Sequence, residues 1–379
     1  MQATLQLSVN TLSWAAASTG YSLPEFAHVL YKKEQTAIDI AQGKLTVEQI
    51  KKFSEKSKVP FGFLFLENPP QDYQPDTTFV DFRTRKHQTP FSADFKKTLR
   101  DVEHKQTWYK NYLISIDADK LPFIGKYANN KHVSNEEIAQ DIRNTLKLES
   151  IRASSTDLYF SALSQACESI GILVFKNGIV INNTKKHLDA NEFGGFVITD
   201  DYAPCVFING DDSKNANIFT LAHELAHIWL GESGVSDTYV DSNNISEAKC
   251  NAIAALVLVP TIKFIKLWDS TNDSPREKIR TLNKLFKVSE LVIARTALIH
   301  KKIDRDLYNL VDAETKKAWR FYKDQSKGKE IKLPALTVVS MRNSKTITNK
   351  IIDLVKNNKI MPREAAILLN KSAATVVNL

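Results

Sequence analysis

The sequence predicts an α+β protein in which a small β-rich region lies between helical segments. Three observations carry this prediction. Apolar residues recur at helical spacing through 8–68, around 92–118, 134–148 and 155–170, and again after Pro260. Between 172 and 210 the pattern changes to short β-rich runs, "ILVFKNGIVI", "FGGFVITD" and "PCVFING", split by Gly, Asn and Asp turns. A helix from about 215 to 230 then carries His-Glu-x-x-His, and a further apolar helix follows from 244 to 259.

The first 70 residues read as short helices. "NTLSWAAAST" is the first, ended by Gly20. "SLPEFAHVLY" has a serine N-cap, an early proline and an acid in its first turn, all helix-start signals. "KEQTAIDIAQG" closes on Gly43, and "TVEQIKKFSEKSKV" places Gln49 three residues after Thr46, a capping-box pattern. The Pro69-Pro70 pair marks a boundary. An irregular stretch opens the next region, and charged amphipathic helices follow it. After Pro260 the chain is helical with one lysine-rich break, "DQSKGKEIKLP".

With 379 residues, 43% of them hydrophobic and 25% charged, the chain has the length for two or three ordinary globular domains. Three cysteines with no paired spacing favour a reducing compartment over a disulfide scaffold. The start "MQATLQLSVNTLSW" lacks the basic flank and apolar run of a secretion signal, and no stretch reaches 18 uninterrupted apolar residues. A cytoplasmic protein with no membrane partner is therefore expected. The net charge of +8 is uneven: residues 151–260 carry 6 basic and 13 acidic side chains, residues 261–379 carry 25 and 12. A basic third fits nucleic acid, an acidic partner or simply a solvated lysine-rich surface.

The chemistry concentrates in "NANIFTLAHELAHIWLGESG" at 215–234. Residues four apart share a helix face, so His223 and His227 can present ring nitrogens to one ion, with Glu224 beside them to reach a water. A catalytic zinc site takes a third protein ligand and keeps an open position. Glu247, 20 residues after His227 in "ISEAKCNAIAALVLVP", is the candidate, on a helix expected to return antiparallel to the first. Asn251, one turn further, is placed to orient a ligand by a hydrogen bond. Tyr239 could donate to a developing oxyanion, although packing is the simpler role for it. His187 and His300 are isolated and read as surface histidines. Neither a phosphate-binding glycine loop nor a Gly-x-Ser-x-Gly nucleophile elbow occurs.

"FTLAHELAHIWL" and "EAKCNAIAALVLVP" resemble the ImmA/IrrE family of zinc metallo-endopeptidases. The latter segment is similar to that family's Glu-x-x-Ala-Asn-x-Phe-Ala-Ala pattern, with Cys250 and Ile253 in place of alanine and phenylalanine. "FGGFVITDDYAPCVFIN" is similar to the strand pair that precedes the family's zinc helix. The resemblance implies a zincin-like core, zinc ligands His223, His227 and Glu247, and Glu224 as general base. The implied reaction is peptide-bond hydrolysis, in which zinc activates water and Glu224 carries its proton to the leaving amine. "LSWAAASTGYSLPEFAHVL" and "AQGKLTVEQIKKFSEKSKVPFGFLFLENPP" resemble the Xre/Cro helix-turn-helix class, with "IAQG" where Trp-Glu-x-Gly is usual. "LNKLFKVSELVIARTALIHKKI" has a helix-turn-helix flavour too.

These readings divide the chain into a helix-turn-helix unit at 1–70, a helical connecting region at 71–150, the zincin-like core at 151–262 and a basic helical region at 263–379. The implied substrate is a repressor or antitoxin-like partner, a small helix-turn-helix protein from an adjacent gene, cut to control genes in stress responses, mobile elements or toxin–antitoxin pairs. DNA is a further partner expected of the N-terminal unit. The alternative is a regulator or toxin that binds DNA or a partner, with the zinc site secondary or inactive.

Overall fold

The computed structural model describes residues 4–17, 19, 21–57, 59, 61–69, 80–81, 91–130, 132–236, 245–325 and 334–379. It is a mixed α+β structure with far more helix than strand. Contacts divide the chain into two units, Met1–Thr78 with Thr89–Arg100, and Phe79–Gln88 with Asp101–Leu379.

In the first unit a short antiparallel pair, β1 (Thr4–Gln6) and β2 (Lys44–Thr46), brackets α1 (Val9–Ala17), α2 (Leu23–Leu30) and α3 (Glu34–Ala41). The helix α4 (Val47–Ser57) follows β2 directly. Its start is fixed by a reciprocal pair: the Thr46 amide donates to Gln49 Oε1 at 2.7 Å, and the Gln49 amide donates to Thr46 Oγ1 at 3.3 Å. Gly43 takes a φ of +81°, and a Cβ there would lie 2.4 Å from the Leu7 carbonyl, so the turn into β2 requires glycine. Leu12, Phe26, Ile40, Ile50, Phe53 and Leu64 supply one core among these helices.

The second unit is built on a five-stranded mixed sheet. Its strands are β3 (Val80–Asp81), β4 (Leu173–Asn177), β7 (Gly195–Ile198), β8 (Cys205–Asn209) and β9 (Gly234–Ser236), in the order β3-β9-β7-β8-β4. The strands β4 and β8 are parallel, while β7 runs antiparallel to both β8 and β9. All five residues of β8 are buried. That explains why this strand reads as a continuous apolar run rather than an alternating one. Between β4 and β7, β5 (Ile179–Val180) and β6 (Asn183–His187) form a separate pair, and every residue of β6 is exposed.

Helices make up the rest of this unit. In order they are α5 (Ala93–Ser115), whose residues from Asp101 onward belong to this unit, α6 (Asn135–Thr145) and α7 (Thr156–Ser169). Next come α8 (Lys214–Leu230), α9 (Ile245–Leu258), α10 (Thr261–Trp268), α11 (Pro275–Phe286) and α12 (Glu290–Ile299). Then follow α13 (Arg305–Gln325), α14 (Ala335–Asn343), α15 (Lys345–Lys356), α16 (Pro362–Leu368) and α17 (Ala373–Val377). Of these, α7, α8, α14 and α15 pack against the sheet. One hydrophobic core runs from Phe123 to Val311 and takes in the buried apolar residues of α8 and α9. Among the described residues no single helix is long and apolar enough to cross a membrane. The apolar α9 and α10 meet at a 59° bend, and α9 buries Cys250, Ile253, Ala254, Val257 and Leu258 in the core. The α11–α12 pair does have a three-residue turn, but α12 buries Val292, Ile293, Ala294, Thr296 and Ala297. A helix packed on that many sides has little surface left to enter a nucleic-acid groove. The helix α15 is held at its start by Glu168, which accepts hydrogen bonds from the Ser344 hydroxyl at 2.7 Å and from the amides of Lys345 and Thr346 at 2.9 and 3.0 Å.

Candidate metal centre

The helix α8 has defined ends. Ser213 accepts from the Ala216 amide at its start, and Gly231 ends it in the left-handed region with φ +75°. Its last carbonyls are not left open: the Gly125 amide donates to Ile228 O at 2.9 Å and the Tyr127 amide to Trp229 O at 3.0 Å. Trp229 stacks on Phe123 and donates Nε1–H to Asp141 at 2.9 Å. The backbone around His223 and His227 is therefore anchored on both sides, against β7 and β8 on one and α9 on the other.

The helix α9 runs antiparallel to α8, as the order of contacts requires. His223 meets Asn251, and His227 meets Glu247. The Nε2 atoms of His223 and His227 lie 3.0 Å apart, and Glu247 reaches His227 Nε2 at 3.1 Å and His223 Nε2 at 3.3 Å. All three residues are buried. Glu247 sits in the first turn of α9, where the helix dipole favours a negative charge.

The outer sides of both imidazoles are also engaged. His223 Nδ1 lies 2.9 Å from Asn251 Oδ1, and His227 Nδ1 lies 3.1 Å from Glu232 Oε2. A carbonyl or carboxylate oxygen can only accept, so each Nδ1 carries the hydrogen and each Nε2 presents a lone pair inward. Two such lone pairs 3.0 Å apart, with a carboxylate beside them, repel unless a cation lies among them. A tetrahedral ion with ligands at about 2.0–2.1 Å separates those ligands by about 3.3 Å. The donor set, two nitrogens and a carboxylate oxygen, thus fits a zinc-like ion in both spacing and chemistry.

Without an ion, protons must play the compensating part. Burial would raise the Glu247 carboxyl, but hydrogen bonds from His223 and His227 outweigh it and hold the group down to about 2. Burial works against charge on His227, yet its contacts to Cys250, Glu232 and Glu247 outweigh that and raise it well above the ordinary imidazole value. Metal binding at such a site displaces protons.

Glu224 stands apart from the ligands. It is fully buried between α8 and the sheet, and neither carboxylate oxygen has a hydrogen-bond partner among the described residues. Burial pushes its carboxyl up to about 7, with the two imidazoles partly opposing. The Ser236 hydroxyl on β9 is near enough to favour the charged form, although it stops short of a formed hydrogen bond. Gly195 on β7 makes room for the carboxylate. A Cβ there would lie 3.0 Å from Glu224 Oε1, 2.8 Å from the Phe207 carbonyl and 2.7 Å from Thr220 Cγ2.

His223, His227, Glu247, Glu224 and Asn251, which the sequence singled out, therefore lie in one cluster. Tyr239 falls in 237–244, outside the described residues. His187 is exposed and pairs with Asp211 at 2.9 Å, away from the cluster's residues. Sequence reasoning missed Gly195, Glu232 and Ser236. The available signals were the glycine pair in "FGGF" and an acid directly after the helix-ending Gly231. The three cysteines are free and buried, and Cys250 Sγ approaches His227 Nδ1 at 3.5 Å.

Residues 167–298, about a third of the chain, match the family model of the IrrE N-terminal-like domain, a peptidase family. The matched span holds α8, α9 and every residue of the cluster, and it marks a metallopeptidase-type domain. No curated protein matches the chain.

Proposed function

We propose that the chain is a zinc-dependent endopeptidase that cleaves a specific partner regulator. The observation that supports this reading best is the convergence of His223, His227 and Glu247 within 3.3 Å beside a buried carboxylate with no hydrogen-bond partner among the described residues. His223, His227 and Glu247 hold the zinc, in a zincin-like arrangement of α8 on the sheet with α9 behind it. Zinc supplies Lewis acidity and activation of water when bound.

The chain's own groups supply the rest. Asn251 and Glu232 orient the two imidazoles. Glu224 accepts the proton of the attacking water and delivers it to the leaving amine. Burial lifts this carboxyl to about 7 in the metal-free site, and a bound cation beside it would favour the charged form, the one that accepts the water's proton. Glu224 is not a ligand in this reading. Tyr239, outside the described residues, could donate to the developing oxyanion, with packing the simpler role for it.

The family resemblance and the uneven charge suggest the partner. It is a small helix-turn-helix or antitoxin-like protein encoded by an adjacent gene, and its cut segment is basic, matching the acidic 151–260 region. The first unit is read as a helix-turn-helix of Xre/Cro type that selects the target or DNA. The three free buried cysteines suit a cytoplasmic setting. The test mixes wild-type and Glu224→Gln protein with the product of the adjacent gene, followed by gel and intact mass. The reading expects one discrete cut by wild type alone. Equal biological effect from both variants with the partner uncut would favour the rival, a binding regulator whose metal site is idle.

A further inference from the structure

We infer that Glu232 is a positioning residue for this metal site, fixing the ring of His227 from its outer side and tying it to the turn that carries Glu247. The inference rests on the metal-site reading above. Gly231, with φ +75°, reverses the chain at the end of α8. This brings the Glu232 amide back to the His227 carbonyl at 3.0 Å, while the Gly231 amide bonds Ile228 O at 3.2 Å. That pattern places the Glu232 side chain over the residue its own backbone already grips. Glu232 Oε2 then accepts from His227 Nδ1 at 3.1 Å, so one residue holds His227 by both backbone and ring.

The same Oε2 accepts the Ser246 hydroxyl at 2.5 Å. Ser246 directly precedes Glu247 in the first turn of α9. Glu232 therefore joins the end of α8, which bears one ligand, to the start of α9, which bears another. The two imidazoles also differ in kind: His223 leans on the neutral amide of Asn251, and His227 on a carboxylate. A carboxylate behind a metal-bound imidazole strengthens it as a donor and locks its orientation, so removal of such a partner costs about 10–100-fold in metal affinity.

His227, Glu232 and Cys250 also lie close enough together to form another donor set. Glu232 Oε2 already accepts two hydrogen bonds, and one imidazole serving two ions would have to lose both ring protons. A positioning role explains the contacts without that cost.

The experiment uses the full chain as wild type, Glu232→Ala, Glu232→Gln and Ser246→Ala. Zinc affinity and stoichiometry are read by competition with a chromophoric chelator, and the urea unfolding midpoint is read on metal-free protein. The expected result is one zinc per wild-type chain and an affinity about 10–100-fold weaker for Glu232→Ala. Glu232→Gln, which keeps an acceptor oxygen, and Ser246→Ala lose less, and any fall in the metal-free midpoint, where Glu232 also pairs with His227, is smaller than the loss of affinity. Unchanged affinity in Glu232→Ala, with wild type binding one zinc, overturns the inference and leaves the metal-site reading intact. So does an additional zinc in wild type that Glu232→Ala loses, or an affinity loss matched by an equal loss of metal-free stability. Wild type that binds no zinc overturns both.

Discussion

Replacing Glu224 by Gln removes a buried ionisable group and leaves its shape, which makes the cost of burying that charge measurable. The ordinary glutamate value is 4.5, and burial pushes this carboxyl up to about 7. A folded-state value above the unfolded one means that the folded protein holds the proton more tightly. Below pH 4.5 both states are protonated and the group costs nothing. As pH rises towards 7 the unfolded state ionises first, so stability falls, and above 7 the full cost is present. At about 1.4 kcal/mol per pH unit, that cost is about 3 kcal/mol. Metal-free Glu224→Gln should therefore gain on wild type by about 3 kcal/mol between about pH 4.5 and pH 8. His227 and Glu247 also titrate, but they are common to both proteins and largely cancel in the difference. The assay is urea unfolding of chelator-treated wild-type and variant protein across that range. A difference that stays flat with pH, or a variant that loses ground as pH rises, would refute the burial argument.

Two further outcomes follow from the same packing. Gly195→Ala places a methyl 2.8 Å from the Phe207 carbonyl, a backbone atom that no rotamer change can move, as well as against Thr220 and Glu224. It should cost about 1–3 kcal/mol in unfolding free energy, and a variant within about 0.5 kcal/mol of wild type would show that the close approach is not real. Glu168→Ala removes the group that caps α15 from another helix, where it accepts from Ser344, Lys345 and Thr346. The amides of 345–348 should exchange faster, by the equivalent of about 1–2 kcal/mol, and unchanged exchange there would contradict the capping role.

Much of the cluster was legible because it depends on short-range geometry. The four-residue spacing puts His223 and His227 on one face of α8 whatever surrounds them. Ser213 and Gly231 mark that helix's ends in the sequence, and Glu247 and Asn251 share the same spacing on α9. The capping pair at Thr46 and Gln49 was readable for the same reason. What escaped depends on the path the backbone takes. Gly195 matters only because β7 passes beneath Glu224. Glu232 matters only because Gly231 turns the chain back on itself. The strand β6, "NTKKH", is exposed on every residue and so shows no apolar alternation, and β9 is three residues long, too short to show a period. The division of contacts at Arg100–Asp101 falls inside one continuous helix, α5, where composition gives no boundary.

Whether His223, His227 and Glu247 hold one metal ion is decided by elemental analysis of the purified protein. The wild-type chain should carry about one zinc, a folded His223→Ala/His227→Ala variant none, and Glu224→Gln the full complement. Full metal occupancy in the double variant, or none in wild type after growth with zinc, would contradict the assignment of these ligands.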